Sequence, residues 1–481
     1  MLLAAVLEKA GHEVHLLDAN AVKNKRSTEE IIRIAGELKP DIIGMTLLTP
    51  MISESYRLAS GLKGTGAKLL AGGPHATILP EEAICHGFDA AVLGEGALTV
   101  EEAVKALLGL MPKEDVRGWV YRDSSGQPRR TEPRPPITNL DDLPFPARHL
   151  VNPLDYGPLK NPSLNGDLFS SRGCSGRCAF CCLNLFGKHV RFRSAQSILD
   201  EILYAYNTYS TRHFYFVDDA MTADRERAAQ ICEGLLHRNL KITWSMITRI
   251  DLVDEELLTL VARAGCWRIE YGVESGHPET LKRIHKHHTV DMARRVVPMT
   301  ARLGIEPSVF FILGFPWDDT VSIEATRNLM MELAPYVKYF QPALGLLIPY
   351  PGTEIYDNYK EQCGLENWWL SSNSIFDAPR VDTHSYCDWK IFPYGNMLDA
   401  NFFHYDSDVK RKIHDVFKFM YIHGQRRAGG VFRLIRLFLL ELSDRLFVLS
   451  PALEHLIFTP IRALERLGQR IYHADVFRAR R

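Results

Sequence analysis

Along the first hundred residues, apolar positions recur with two periods. Spacings of three and four predict helices over 2–9, 28–38, 54–62 and 98–108, and short apolar runs predict strands over 13–17, 41–48, 68–71 and 88–93. Gly11 and Pro40 stand where the first two helices should stop. Strands alternating with helices of this length argue for a doubly wound parallel sheet. Ligands of such sheets meet the carboxyl ends of the strands. Those ends read Thr46-Leu47-Leu48-Thr49, Gly72-Gly73-Pro74-His75 and Gly94-Glu95-Gly96. Small residues there let a large planar ligand, or its phosphate, approach the backbone.

The pattern then lapses. Nine prolines fall between Pro128 and Pro162, so 111–165 reads as a stiff, extended linker, with Leu143-Pro144-Phe145-Pro146 pinning it to the next domain. Alternation resumes over 166–360. Strand-like runs cover 167–171, 213–217, 242–246, 267–271, 307–313 and 339–347, separated by helical runs such as 195–207, 223–237, 254–264 and 290–303. Six strand–helix units predict a partial parallel barrel, whose chemistry belongs on the loops after the strands. Residues 361–481 form a last, mostly helical region. It is aromatic over 364–405, with Trp368, Trp369, Trp389, Phe392, Phe402 and Phe403, and suits a cap that shapes a substrate pocket. From 431 it becomes basic and amphipathic, with Arg462, Arg466 and Arg470 on one helix face. Two readings stand for 431–481: a peripheral contact with a membrane surface, or a helical hairpin closing the protein's own core.

Composition narrows the field. The 481 residues are 46% hydrophobic and 24% charged, as in globular proteins. A net charge of −1 argues against nucleic acid held along the whole length. That balance hides an asymmetry: from Lys410 onward there are 15 Lys and Arg against 6 Asp and Glu, so the tail carries +9 and the rest −10. No stretch of about 18 uncharged apolar residues occurs, so a bilayer-spanning helix is not expected. The start lacks a basic stretch and meets Glu8 early, so a secretory signal is not expected either, and the cytoplasm is the expected compartment.

Four of the nine cysteines fall in Arg172-Gly173-Cys174-Ser175-Gly176-Arg177-Cys178-Ala179-Phe180-Cys181-Cys182. The loop follows the first strand of the second alternating region. Three thiolates in one tight loop suit a soft metal. Structural zinc usually takes two separated pairs, and no second C-x2-C exists here, although a zinc knuckle is the alternative. Three cysteines on a four-iron cube would leave one iron open for a substrate ligand. Cys182 is surplus and reads as a packing residue.

C-x3-C-x-aromatic-C, with Phe180 as the aromatic, resembles the cluster loop of the radical S-adenosylmethionine (SAM) enzymes. The resemblance implies that Cys174, Cys178 and Cys181 hold a [4Fe–4S] cluster whose open iron chelates SAM. The first region resembles the cobalamin (B12)-binding domain joined to many of these enzymes. Thr46 and Leu48 match its Ser/Thr-x-Leu turn, Gly72 and Gly73 its Gly-Gly turn, and Gly94 and Glu95 stand at the third strand end. The D-x-H-x-x-G motif is absent, which implies cobalamin bound base-off without a protein His on its lower face. The pattern opens inside a helix, so the family's first strand is not seen. The fold expected is therefore α/β: a Rossmann-like cobalamin-binding domain over 1–110, the linker, a partial (β/α)6 radical SAM barrel, and the helical tail.

The strand ends of the barrel supply SAM candidates. Asp218 and Asp219 are adjacent carboxylates that suit the SAM ammonium, although Asp219 or Thr222 also reads as a helix N-cap. Arg249 suits the SAM carboxylate, or else a salt bridge with Asp218 or Glu274. Glu270 reads as an internal ion-pair residue. Glu274, with Ser275 beside it, resembles the family's ribose-binding element, and Gly314 lies in the stretch 311–316 that packs on adenine. Pro349-Tyr350-Pro351-Gly352-Thr353 matches the cobalamin-linked branch. His285, Lys286, His287 and His288 read as a solvated charged face rather than a metal tract. The resemblance implies reductive cleavage of SAM to a 5′-deoxyadenosyl radical and methylation of an unactivated carbon in a small-molecule or lipid substrate. The electron donor would be a flavodoxin or ferredoxin. The alternatives are an oxidoreductase or cyclase of the same architecture without methyl transfer, and a non-catalytic cobalamin-binding sensor.

Overall fold

The computed structural model describes residues 1–19, 21, 24–152, 155, 166–182, 186–187, 189–338, 340–341, 345–371 and 401–428. The chain divides into a unit over Met1–Phe417 and a second over Lys418–Arg481. Cys387, Trp389, Phe392 and the basic segment 431–481 lie outside the described residues. No helix among the described residues is long and apolar enough to cross a membrane.

The first region opens with α1 (Leu2–Lys9) and α2 (Thr28–Leu38), where Ser27 and Glu30 form a capping box. Strands β1 (Ile42–Thr46), β2 (Lys68–Gly72) and β3 (Ala90–Val92) run parallel, in that order, with α3 (Ile52–Leu62), α4 (Gly73–Ile78), α5 (Pro80–Cys85) and α6 (Gly96–Leu107) following the strands. The expected strand over 13–17 does not form: Val14 and Leu16 pack against Ala4, Ala5 and Ala147 without a ladder partner. The expected linker also begins as structure. β4 (Trp119–Arg122) and β5 (Pro128–Arg130) form a hairpin that extends this sheet antiparallel. Fully buried Trp119 and Val120 supply the reason, since burying an indole outweighs the cost of ordering a short hairpin. Phe145 does pin the remainder, its ring 5.9 Å from Tyr204 and under the Arg193 guanidinium.

The second region is one open parallel sheet of six strands. In chain order these are β6 (Asp167–Leu168), β9 (His213–Phe216), β10 (Thr243–Thr248), β11 (Cys266–Glu274), β12 (Glu306–Phe311) and β13 (Phe340–Gln341), and they stand side by side in that order. Between β6 and β9 a short ladder intervenes: β7 (Ser171–Arg172) pairs antiparallel with β8 (Arg191–Phe192). Helices α7 (Ala195–Tyr209), α8 (Arg225–Arg238), α9 (Glu255–Arg263), α10 (Pro278–Arg283), α11 (Val290–Arg302) and α12 (Thr320–Leu333) follow the strands in turn. Phe214, Phe216, Trp244, Met246, Ile269, Tyr271, Val309 and Phe311 alternate along the strands into the core.

After β13 come α13 (Glu354–Cys363) and, beyond the undescribed stretch, α14 (Ser407–Ala428). Trp369 returns to the first region. Its indole donates to both Glu82 oxygens, at 3.1 and 3.4 Å, and its carbonyl accepts from Ser53. Glu82 also meets fully buried His75, whose other ring nitrogen contacts Thr49 at 3.0 Å. Positive-φ Gly352 lies against Ile78, where an added Cβ would come within 2.9 Å of Cδ1.

Candidate active site

The cysteine loop leaves β7 with Gly173 at φ +87°, where a Cβ would meet the His189 carbonyl oxygen at 2.6 Å. Its backbone is pinned on two sides: Ala179 donates to Ile284 at the end of α10 and accepts from Ile355 in α13. A side chain at Gly176 would stand 3.4 Å from Cys174 Sγ, 3.8 Å from Cys178 Sγ and 3.6 Å from Arg249 Nη1. Two sulfurs and a guanidinium therefore border one space. Burial pushes the Cys178 thiol up, with Glu274 and Cys174 adding to it against Lys286 and Arg249. Desolvation by the surrounding protein, with Cys178 and Asp219 beside it, pushes Cys181 up to about 12. Close, desolvated thiols favour a shared cation.

Among the described residues, no three His, Cys, Asp or Glu groups converge as they would on a single metal ion. An iron–sulfur cube holds its thiolates wider apart than one ion does, and the donor set, three cysteines in one loop flanked by the half-buried cations Arg249 and Lys286, fits such a cube.

The strand-end residues behave differently from one another. Asp218 is 1% exposed, and its Oδ1 accepts from Ser170 N, Ser170 Oγ and Ser171 Oγ at 2.9, 3.0 and 2.5 Å. It holds the corner just before the cysteine loop, while its Oδ2 is buried without a hydrogen bond. Asp219 is exposed beside the cysteine loop. Neither Asp219 nor Thr222 caps α8; Asp224 does, accepting from Arg227 N. Arg249 forms a two-pronged pair with Asp251, at 3.0 and 2.6 Å, rather than with Asp218 or Glu274. Glu270 accepts from the Tyr215 hydroxyl at 3.0 Å instead of forming an internal ion pair.

Glu274 takes φ +67° at a register shift in β11 and is buried. Its carboxylate lies 2.9 Å from Lys286 Nζ, which also donates to the Gly272 carbonyl. Burial alone would lower the Lys286 ammonium, but Glu274 and Cys178 outweigh it and hold it above its ordinary value. The tract 285–288 is solvated only in part: His285 and His287 are exposed, while Lys286 and His288 turn inward. Lys286 lies 5.7 Å from the Phe180 ring centroid, and His288 is buried against the Val273 carbonyl. His285 alone keeps a surface pairing, with Glu354. The Ser275 hydroxyl bonds Thr326 and accepts from His277 N. Gly314, φ +79°, donates to Asp318 and accepts from the Tyr405 hydroxyl, so a residue from the C-terminal region covers it.

In the first sheet, the Leu47 N–H donates to the Gly72 carbonyl at 2.8 Å, joining the two predicted turns. Gly73, φ +90°, lies so close that a Cβ would meet Thr46 Cγ2 at 2.9 Å. Thr46 and Leu48 are exposed on this edge. Gly94 donates to Thr77 Oγ1. Glu95 departs from its expected place at cobalamin: it is buried in ion pairs with Arg172 and Arg191.

Sequence reasoning missed Lys286, Asp251, Arg172, Arg191, Asp318 and Tyr405. Only Asp251 and Asp318 had a local signal, two and four positions from the residues they bind.

Two family models match the chain: a B12 binding domain over residues 1–104 and the radical SAM superfamily over 168–330. An uncharacterized methyltransferase of Pyrococcus horikoshii is 30% identical over 358 residues, covering 73% of this chain and 76% of the relative. The cytidylyl-2-hydroxyethylphosphonate methyltransferase of Streptomyces wedmorensis is 29% identical over 65% of this chain and 68% of its own. The radical SAM methyltransferase TsrM of Kitasatospora setae, solved with cobalamin and a [4Fe–4S] cluster, shares the fold with a TM-score of 0.62 at 18% identity, over 76% of this chain and 71% of its own.

Proposed function

The chain belongs to the radical SAM family, in the branch that carries a cobalamin-binding domain, and from that premise we propose that it methylates a carbon atom of a small-molecule or lipid substrate. Its cofactors are a [4Fe–4S] cluster, SAM and cobalamin. When bound, they supply one-electron cleavage of SAM and transfer of a methyl group; the protein's share is to bind, orient and exclude water.

We assign the cluster to Cys174, Cys178 and Cys181. Arg249 and Lys286 border the sulfurs and offset their negative charge. Glu274, held by Lys286, accepts the ribose hydroxyls of SAM, and Asp219 faces its ammonium. Asp218 serves by fixing the Ser170-Ser171 corner. The backbone at 312–316 lies along the adenine. Thr46, Leu48, Gly72, Gly73 and Gly94 form the edge for cobalamin, an edge of exposed side chains and close-packed backbone. A flavodoxin or ferredoxin supplies the electron. For a lipid substrate, the arginine-bearing segment 431–481 offers a membrane-surface contact.

The observation that carries this reading is the cysteine loop at the carboxyl end of a six-stranded parallel sheet, with two cations drawn to its sulfurs. The test is an anaerobically reconstituted, reduced protein given methyl-labelled SAM. Label in the product supports methyl transfer. Unlabelled product with 5′-deoxyadenosine points to the cyclase or oxidoreductase reading, and absence of SAM cleavage to a sensor.

A further inference from the structure

Glu95 lies on the turn between β3 and α6, directly after Gly94 at φ +62°. Its carboxylate is turned toward the β7–β8 ladder. Oε2 accepts from Arg172 Nη1 at 2.9 Å and from Ile137 N at 3.4 Å, and Oε1 accepts from Arg191 Nη2. The three charged side chains are 8%, 9% and 12% exposed. Arg172 and Arg191 face each other directly across the β7–β8 ladder, the neck of the cysteine loop. Both reach into that loop: Arg191 donates to the Phe186 carbonyl at 2.9 Å, and the Arg172 guanidinium lies 5.5 Å from the Phe186 ring centroid.

Like charges directly opposite on a ladder repel, and a buried charge without its partner costs more than the pair returns. The neck therefore closes only with an anion between its two cations. That anion comes from the other sheet.

We propose that Glu95 is a positioning residue that fixes the neck of the cysteine loop, so that the loop's geometry depends on a carboxylate of the cobalamin-binding region. The proposal rests on the cluster assignment above for its consequence, though not for its mechanism. The test uses full-length Glu95→Gln, with amide hydrogen exchange over 171–192 before reconstitution. After reconstitution it adds the electron paramagnetic resonance signal of the reduced cluster with and without SAM, SAM affinity and cobalamin affinity. Expected are at least tenfold faster exchange at the neck, SAM binding at least tenfold weaker with a diminished SAM-induced change in the signal, and cobalamin binding within twofold of wild type. The double variant E95Q/R191Q keeps the wild-type net charge and removes the like-charge pair but leaves Arg172 unpaired, so it should regain part of the protection and of the SAM response.

Unchanged exchange in E95Q overturns the proposal. So does a double variant no better than the single one, or a loss of cobalamin binding with the SAM response intact, which would make Glu95 a cobalamin contact. Should E95Q not fold, Arg191→Gln, which keeps the Arg172–Glu95 pair, should stay protected and E95Q/R191Q should exchange faster than it; equal exchange in the two overturns the proposal. A wild type without an iron–sulfur signal sinks the cluster assignment while the exchange result still judges Glu95.

Discussion

The two sheets end in opposite ways. At the carboxyl end of the second, charge is buried and matched: Glu274 with Lys286, Arg249 with Asp251, and Asp218 on a pair of serines. At the carboxyl end of the first, the edge is backbone packed on backbone, with Gly73 against Thr46 and Leu48 left exposed. Matched buried charge is costly to assemble and rigid once assembled, which suits a small ion with fixed donors and acceptors. A close-packed edge with apolar side chains suits a broad ligand that spreads over it. The charged group on the first edge, Glu95, has been taken over by the second region.

The sharpest way to break that contrast is Cys178→Ala. It should abolish nearly all the brown absorbance and bound iron of reconstituted protein, and an intact cluster would refute the ligand set. Lys286→Met comes next. It leaves Glu274 buried and unpaired, so SAM affinity should fall at least tenfold and stability by about 3 kcal/mol. Equilibrium binding and denaturant unfolding measure both, and unchanged SAM affinity would detach Glu274 from the ligand.

A third change is read in pH. Burial, with Lys286 beside it, lowers His288 to about 4 from an ordinary 6.5. Between those values the unfolded chain takes a proton that the native chain refuses. This contribution is complete above pH 6.5 and is lost as pH falls toward 4, by about 3 kcal/mol over the full shift. Stability measured across that range should depend less on pH in His288→Gln, and an unaltered slope would refute the buried neutral ring. Asp167, pushed up to about 6 by burial, slopes the other way in both proteins.

The smallest effect is expected on the other sheet. Gly73→Ala forces a left-handed residue against Thr46, costing about 1–2 kcal/mol. Cobalamin affinity should drop severalfold with SAM affinity unmoved. If SAM binding falls instead, the two edges are not separate.

Much of this was legible because it is local. The helical period gave Thr28–Leu38 and Val290–Arg302 almost to the residue, and the cysteine spacing gave the loop. The hairpin was hidden because β5, Pro128–Arg130, is polar and proline-led, and only Trp119-Val120-Tyr121 carried an apolar signal. The partners of the charged residues were hidden for another reason. Glu95 meets arginines 77 and 96 positions away, and no periodicity reports a pairing that the fold alone creates. Lys286 looked solvated because its neighbours are polar, yet the chain there dives under the cysteine loop.

The return of Trp369 to Glu82 has a practical reach. A residue near position 370 completes the polar interior around His75, in the first hundred residues, so the chain fastens its late portion to its early one. Trimming the protein to its barrel, or stopping it at 360, strips an indole from a carboxylate that has little water to turn to. Shortened versions should therefore keep His75, Glu82 and Trp369 in one chain, and not be cut at the borders between regions.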